Sequence, residues 1–156
     1  MATLKYLILH CTATPEGREV TSDEIRAWHT SPVCKGGRGW KQVGYTDMIH
    51  LDGTIERLVN NNEDAFVDPW EITNGAKGYN CYSRHVVYVG GLDSETKTPK
   101  DTRTPEQLQS MAAYVREFHE RHPNVSIKGH NEVAAKACPC FDVQAWLKQI
   151  GVKQHA

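Results

Sequence analysis

No stretch of the 156-residue chain reaches the roughly 18 to 20 consecutive apolar residues that a membrane helix needs, so no integral membrane segment is expected. An excess of either charge is also missing. The 18 basic and 19 acidic side chains leave a formal net charge of −1, which removes the electrostatic footprint of nucleic-acid or anionic-membrane binding. The opening Met1-Ala2-Thr3-Leu4-Lys5-Tyr6 lacks the basic region, apolar run and small-residue cleavage site of a secretory signal. A protein made and kept in a cytoplasm is the expectation. Internal repeats, low-complexity tracts and linker-like segments are absent too. The length suits one domain, spanning 1–156, that buries about two-thirds of its unfolded surface. Nothing in the pattern demands more than a monomer.

What is present begins with five cysteines, Cys11, Cys34, Cys81, Cys138 and Cys140. An odd number in a reducing compartment reads as free thiols or metal ligands rather than disulfides.

Residues 4–10 are short, apolar and free of Gly and Pro, which predicts a buried strand ending at His10. Thr21 and Glu24 form a capping-box pattern for a helix near 22–30, with Ile25, Trp28 and His29 on one face. Pro32, Gly36, Gly37 and Gly39 make 31–41 a surface loop. Two extended segments, 44–51 and 54–58, flank Asp52-Gly53 and predict a β-hairpin. After an irregular polar region at 60–80, residues 84–89 read as a strand in the middle of a sheet. The longest helix should start at Thr104-Pro105, bury Leu108, Met111, Ala112, Val115 and Phe118, and stop at Pro123. A short strand at 126–128 and a last helix capped by Asp142, with Val143, Trp146, Leu147 and Ile150 on one face, complete the order β-α-ββ-β-α-β-α. That order predicts an α/β fold: a single domain with a central mixed β-sheet flanked by α-helices.

Three side chains with metal-ligand chemistry stand where strands or loops end: His10, His130 and Cys138. Two imidazoles and a thiolate suit zinc, and three protein ligands leave a fourth tetrahedral position open, as catalytic sites require. Local spacing does not settle the matter. His130 and Cys138 match neither a zinc-finger pattern nor a paired-histidine helix, and a hydrogen-bonded core histidine with an inert buried thiol is the competing reading.

Seven blocks occur in order: His10-Cys11-Thr12-Ala13-Thr14, Ile25-Arg26-Ala27-Trp28-His29, Val43-Gly44-Tyr45, Asp52-Gly53-Thr54, Ala76-Lys77-Gly78-Tyr79-Asn80, Val89-Gly90-Gly91, and the run from His130 to Pro139. Together, from about Leu4 to about Trp146, they resemble the type-2 N-acetylmuramoyl-L-alanine amidase family, its phage-lysozyme branch most of all. That family also includes peptidoglycan recognition proteins. The resemblance implies zinc bound by His10, His130 and Cys138, with Tyr45 and Lys136 as catalytic residues facing it and Asn80 contacting substrate. It implies hydrolysis of the amide bond between N-acetylmuramic acid and L-alanine of bacterial peptidoglycan. An enzyme of this branch without its own signal would need a separate export or membrane-breaching factor to reach the cell wall.

This sequence also departs from the family pattern. The loop from Ser31 to Gly39 is longer, Arg84-His85 replace an apolar-glycine pair, and Cys140 is a second thiol that could compete for the metal. His29, His50, His85, His119, His122 and His155 read as structural or surface residues. Two rival readings share the fold. A peptidoglycan-binding module without catalysis is expected to lack the cysteine ligand, and a cytoplasmic muropeptide-recycling amidase tends to carry aspartate there. The presence of Cys138 counts against both.

Overall fold

The computed structural model describes residues 2–154, so His155 lies outside the described residues. In chain order the strands and helices are β1 (Ala2–Thr3), β2 (Tyr6–Cys11), β3 (Thr14–Pro15), α1 (Ser22–Thr30), β4 (Asp47–Ile49), β5 (Ile55–Arg57), β6 (Phe66–Val67), β7 (Ser83–Tyr88), β8 (Gly91–Leu92), α2 (Pro105–Arg121), β9 (Ser126–Gly129) and α3 (Val143–Gln149). A five-stranded sheet runs β5-β4-β7-β2-β9, with β5 antiparallel at one edge and the other four strands parallel. The small pairs β1-β6 and β3-β8 sit outside it. This is the mixed α/β domain that the element order predicts.

The middle strands are covered on both faces, which is why β2 reads as a nearly continuous apolar run and why even Ser83, Arg84 and His85, which open β7, are buried. Side chains still alternate. Leu7, Leu9, Cys11, Val86 and Tyr88 enter the larger core with Met111, Val115 and Phe118 of α2 and Val143, Trp146 and Leu147 of α3. Val87 and Val89 join Val20, Ile25, Val43 and Met48 in a second cluster on the α1 side. Among the described residues no helix is long and apolar enough to cross a membrane.

Capping follows the sequence closely. Thr21 and Thr104 each accept the backbone N–H three residues on and are bonded back by Glu24 and Gln107, while Asp142 caps α3. Three expectations need correction. Leu108 is 38% exposed, and Gln107 is the buried residue of that turn. The reason is polar: the Gln107 amide donates to the carbonyls of Ile49 and Val89, at 3.3 and 2.9 Å, where β4 and β7 end. A leucine there would leave strand-end carbonyls without that donor. Trp28 is exposed beneath the Arg18 guanidinium, leaving Ile25 and His29 as the buried face of α1. The hairpin pairs only at Asp47–Ile49 with Ile55–Arg57, so Tyr45 lies in the loop that enters it.

The hairpin turn shows why Gly53 stands there. Its φ is +87°, and a Cβ would come within 2.8 Å of the Glu106 carbonyl oxygen of α2. The buried Asp47 is answered by Arg57 at 2.6 Å and by the Tyr114 hydroxyl at 2.6 Å, so no carboxylate is stranded under α2.

Candidate metal centre

Register brings the first two candidates together. Leu9 of β2 is level with Gly129, the last residue of β9, so His10 on β2 and His130 just past the end of β9 come side by side, with ring centroids 4.7 Å apart. Cys138 arrives from a loop. The Cys11 N–H donates to its sulfur at 3.2 Å, and the Tyr88 hydroxyl donates to the Pro139 carbonyl at 2.7 Å. A side chain of the main core thus holds the loop in place. Cys138 Sγ lies 3.8 Å from His10 Nδ1, and one donor atom each from His10, His130 and Cys138 falls within 4.8 Å of the others. Among the described residues this is the one such cluster of three, and His50, His119 and His122 do not join it.

The electrostatics favour neutral imidazoles. Burial, followed by the neighbouring His85, His130 and His29, holds His10 well below the ordinary histidine range. Burial and then the Lys136 ammonium lower His130. Neutral rings keep the lone pairs that a metal ligand must offer. Cys140 is not part of the cluster. Its sulfur sits 3.8 Å from Cys11 Sγ, outside the cluster, and its thiol is raised by that hydrogen bond and by burial. Cys11 in turn is pushed up to about 12, chiefly by its hydrogen bond with Cys138.

The cluster opens onto a groove of about 470 Å³ whose lining includes Tyr45, Asn80, His130 and Lys136. Tyr45 places its ring 5.2 Å from that of His10, and burial followed by the nearby Cys138 and Cys11 raises its phenol, so it keeps its proton at neutral pH. Lys136 is exposed at the rim. Arg38, stacked 5.1 Å over Trp40, and Lys77 add two more cations, while no carboxylate lines the groove. An almost neutral chain therefore carries a locally positive site. Asn80 is on the wall, and its side-chain oxygen accepts the Ala76 N–H at 2.8 Å.

Two histidines read as structural or surface residues belong to this neighbourhood. His29 accepts the Gly44 N–H at 2.9 Å on Nδ1, packs 5.2 Å from Tyr45 and lines the groove. Burial, with Arg38, pushes it down to about 4. His85 is fully buried and bonds His10 directly, Nδ1 to Nε2 at 2.8 Å. A signal for it exists: an imidazole inside an otherwise apolar central strand needs a polar partner, and β2 supplies one at the next same-face position.

The N-acetylmuramoyl-L-alanine amidase family model matches residues 1–141. The endolysin of Enterobacteria phage K11 is 36% identical over 140 residues, covering 90% of this chain and 83% of its own. The endolysin of Escherichia phage T7 is 36% identical over 143 residues, covering 92% and 85%. Among solved structures, the endolysin N-acetylmuramoyl-L-alanine amidase LysCS of Clostridium intestinale superposes with a TM-score of 0.71 at 23% identity, over 97% of this chain and 86% of that one. Drosophila PGRP-LB gives 0.70 at 21% identity, over 99% and 85%. At such identities the two structures bear on the fold alone.

Proposed function

The chain belongs to the N-acetylmuramoyl-L-alanine amidase family, and from that premise we propose that it hydrolyses the amide joining N-acetylmuramic acid to L-alanine in bacterial peptidoglycan, using zinc held by His10, His130 and Cys138. The observation that supports this most is the convergence of two imidazole nitrogens and one sulfur beside a cationic groove. The donor set fits zinc by chemistry and by reach. Tetrahedral zinc, with metal–nitrogen bonds of about 2.0–2.1 Å and metal–sulfur bonds of about 2.3 Å, places its donors roughly 3.3–3.6 Å apart. The His10–Cys138 pair is already at 3.8 Å.

Bound zinc supplies a Lewis acid that polarises a carbonyl and makes hydroxide available near neutral pH. The chain's own residues have distinct tasks. Tyr45 keeps its phenolic proton and can give it to the departing amine, which must leave protonated. The Lys136 ammonium, at the rim beside His130, stabilises the negative charge that develops on the carbonyl oxygen. Arg38 and Lys77 extend the positive field along the groove, which suits the carboxylates of a peptide stem.

Digestion of purified peptidoglycan with mass analysis of the products tests the reaction. Free stem peptides beginning with L-alanine are expected, whereas new reducing sugar ends would mean a glycosidase and end the proposal. In the same assay Lys136→Ala should retain its zinc while turnover drops about 10²- to 10³-fold. Full turnover in that variant removes Lys136 from the reaction.

A further inference from the structure

The sulfur and imidazole cluster does not end at its three candidate ligands. Behind His10 a line of hydrogen bonds runs through the sheet to the groove wall: His10 Nε2 to His85 Nδ1 at 2.8 Å, then His85 Nε2 to Asn80 Oδ1 at 3.1 Å. Its direction can be read from the far end. The Ala76 backbone N–H, which can only donate, meets the same Asn80 atom at 2.8 Å, so that atom is the carbonyl oxygen and is an acceptor. His85 must therefore carry its proton on Nε2 and present a bare Nδ1. His10 must then donate from Nε2, leaving Nδ1 as its lone pair, and Nδ1 is the nitrogen 3.8 Å from Cys138 Sγ.

We propose that His85 is a positioning residue for the metal: through His10 Nε2–H it fixes the tautomer and ring orientation that aim His10 Nδ1 at the ion, with Asn80 setting its own tautomer from the groove side. This inference rests on the zinc reading of the site. Ligating histidines generally give their second N–H to a fixed acceptor, which orients the ring and raises its basicity. Here the acceptor is an imidazole on the central strand β7, level with Ile8 and so two residues along from His10 on the same face. Its backbone is held on the other side by Thr46, whose N–H donates to the His85 carbonyl at 2.7 Å and whose hydroxyl accepts the His85 N–H at 3.3 Å. The ring has room because residue 75 is glycine. A Cβ there would stand 2.6 Å from His85 Nδ1 and 2.7 Å from the Gly44 carbonyl. Placing an acceptor behind His10 thus depends on a bare position at 75 as well as on the imidazole at 85.

Two measurements on the whole protein test this. In metal-free protein, long-range nitrogen–proton NMR should find His10 and His85 both protonated on Nε2. His10 protonated on Nδ1 would overturn the proposal. In zinc competition against a chromophoric chelator, His85→Leu should raise Kd about 10- to 100-fold, the range typical of lost outer-shell partners. His85→Asn, whose carboxamide oxygen falls near the place of Nδ1, should stay within about threefold of the unaltered protein. An unchanged Kd in a folded His85→Leu protein overturns the idea. If that variant does not fold, Asn80→Ala removes the outer acceptor without touching the strand. It should mix the His85 tautomers and weaken zinc, and unaltered tautomers and Kd would defeat the relay. A protein with the expected tautomers that takes up no zinc overturns the zinc reading and the positioning role with it. Zinc uptake by a protein with His10 protonated on Nδ1 overturns the positioning role alone.

Discussion

On one side of the central sheet Leu7, Leu9, Cys11, Val86 and Tyr88 pack mainly into the hydrocarbon of α2 and α3, whereas on the other Val87 joins the hydrocarbon under α1 and His10 and His85 stand among imidazoles beside a groove. The same two strands make both surfaces, because successive residues of a strand point to opposite sides. What separates them is how burial is compensated. The larger core is stabilised by area removed from water, about 1.5–3 kcal/mol for each fully buried Leu or Val. The histidine side buries polar rings and is tolerable only because each meets a partner: His10 with His85, His85 with Asn80, His29 with the Gly44 N–H. A sheet can therefore hold chemistry at full burial if every nitrogen is answered.

Adjacent residues on β2 offer the sharpest way to break that comparison. His10→Ala should cost zinc binding and activity more than the roughly 100-fold that outer-shell changes cost, measured by metal content and product release. Leu9→Ala, one residue away and pointing to the other side, should lower the unfolding free energy by about 2–5 kcal/mol in urea titrations. It should still bind one zinc per folded chain. Loss of zinc by folded Leu9→Ala would show that the two faces cannot be separated.

A smaller effect concerns acid. His29 is pushed down to about 4 by burial and then by Arg38, below its ordinary value near 6.5. Because the unfolded chain takes up that proton more readily, the His29 contribution is complete above about pH 6.5 and is lost as pH falls toward 4. His29→Asn keeps an acceptor for the Gly44 N–H but cannot titrate. Between pH 7 and 4.5 the unaltered protein should therefore lose about 2–3 kcal/mol more stability than the variant, read from denaturant midpoints. Parallel pH profiles for the two proteins would show that His29 is not the group that resists protonation.

The sequence carried the elements that local chemistry dictates. Capping boxes at Thr21 and Thr104, the Pro105 start and the apolar residues of β2 and of the second half of β7 are all written within a few residues of where they act. The meeting of His10, His130 and Cys138 is not local. It depends on β9 pairing in parallel with β2, and in the sequence it is signalled only by ligand chemistry at strand and loop ends and by the order of family motifs. His85 was legible only as a buried imidazole in need of some polar partner, because a strand recognised by its apolar neighbours says nothing about which ring faces which across the ladder. Leu108 failed for a related reason. Helical periodicity places a residue on the inner face but does not reveal that strand-end carbonyls wait there for an amide.

β9 is the outermost strand of the five-stranded sheet, four residues long and paired on one side only. An ion gripped by His10 on β2 and by His130 just past the end of β9 would act as a rivet across that seam. Loading the site would then do more than arm a reaction: it would tie this edge strand to its neighbour, so that metal occupancy and the pairing of β9 with β2 would stabilise one another.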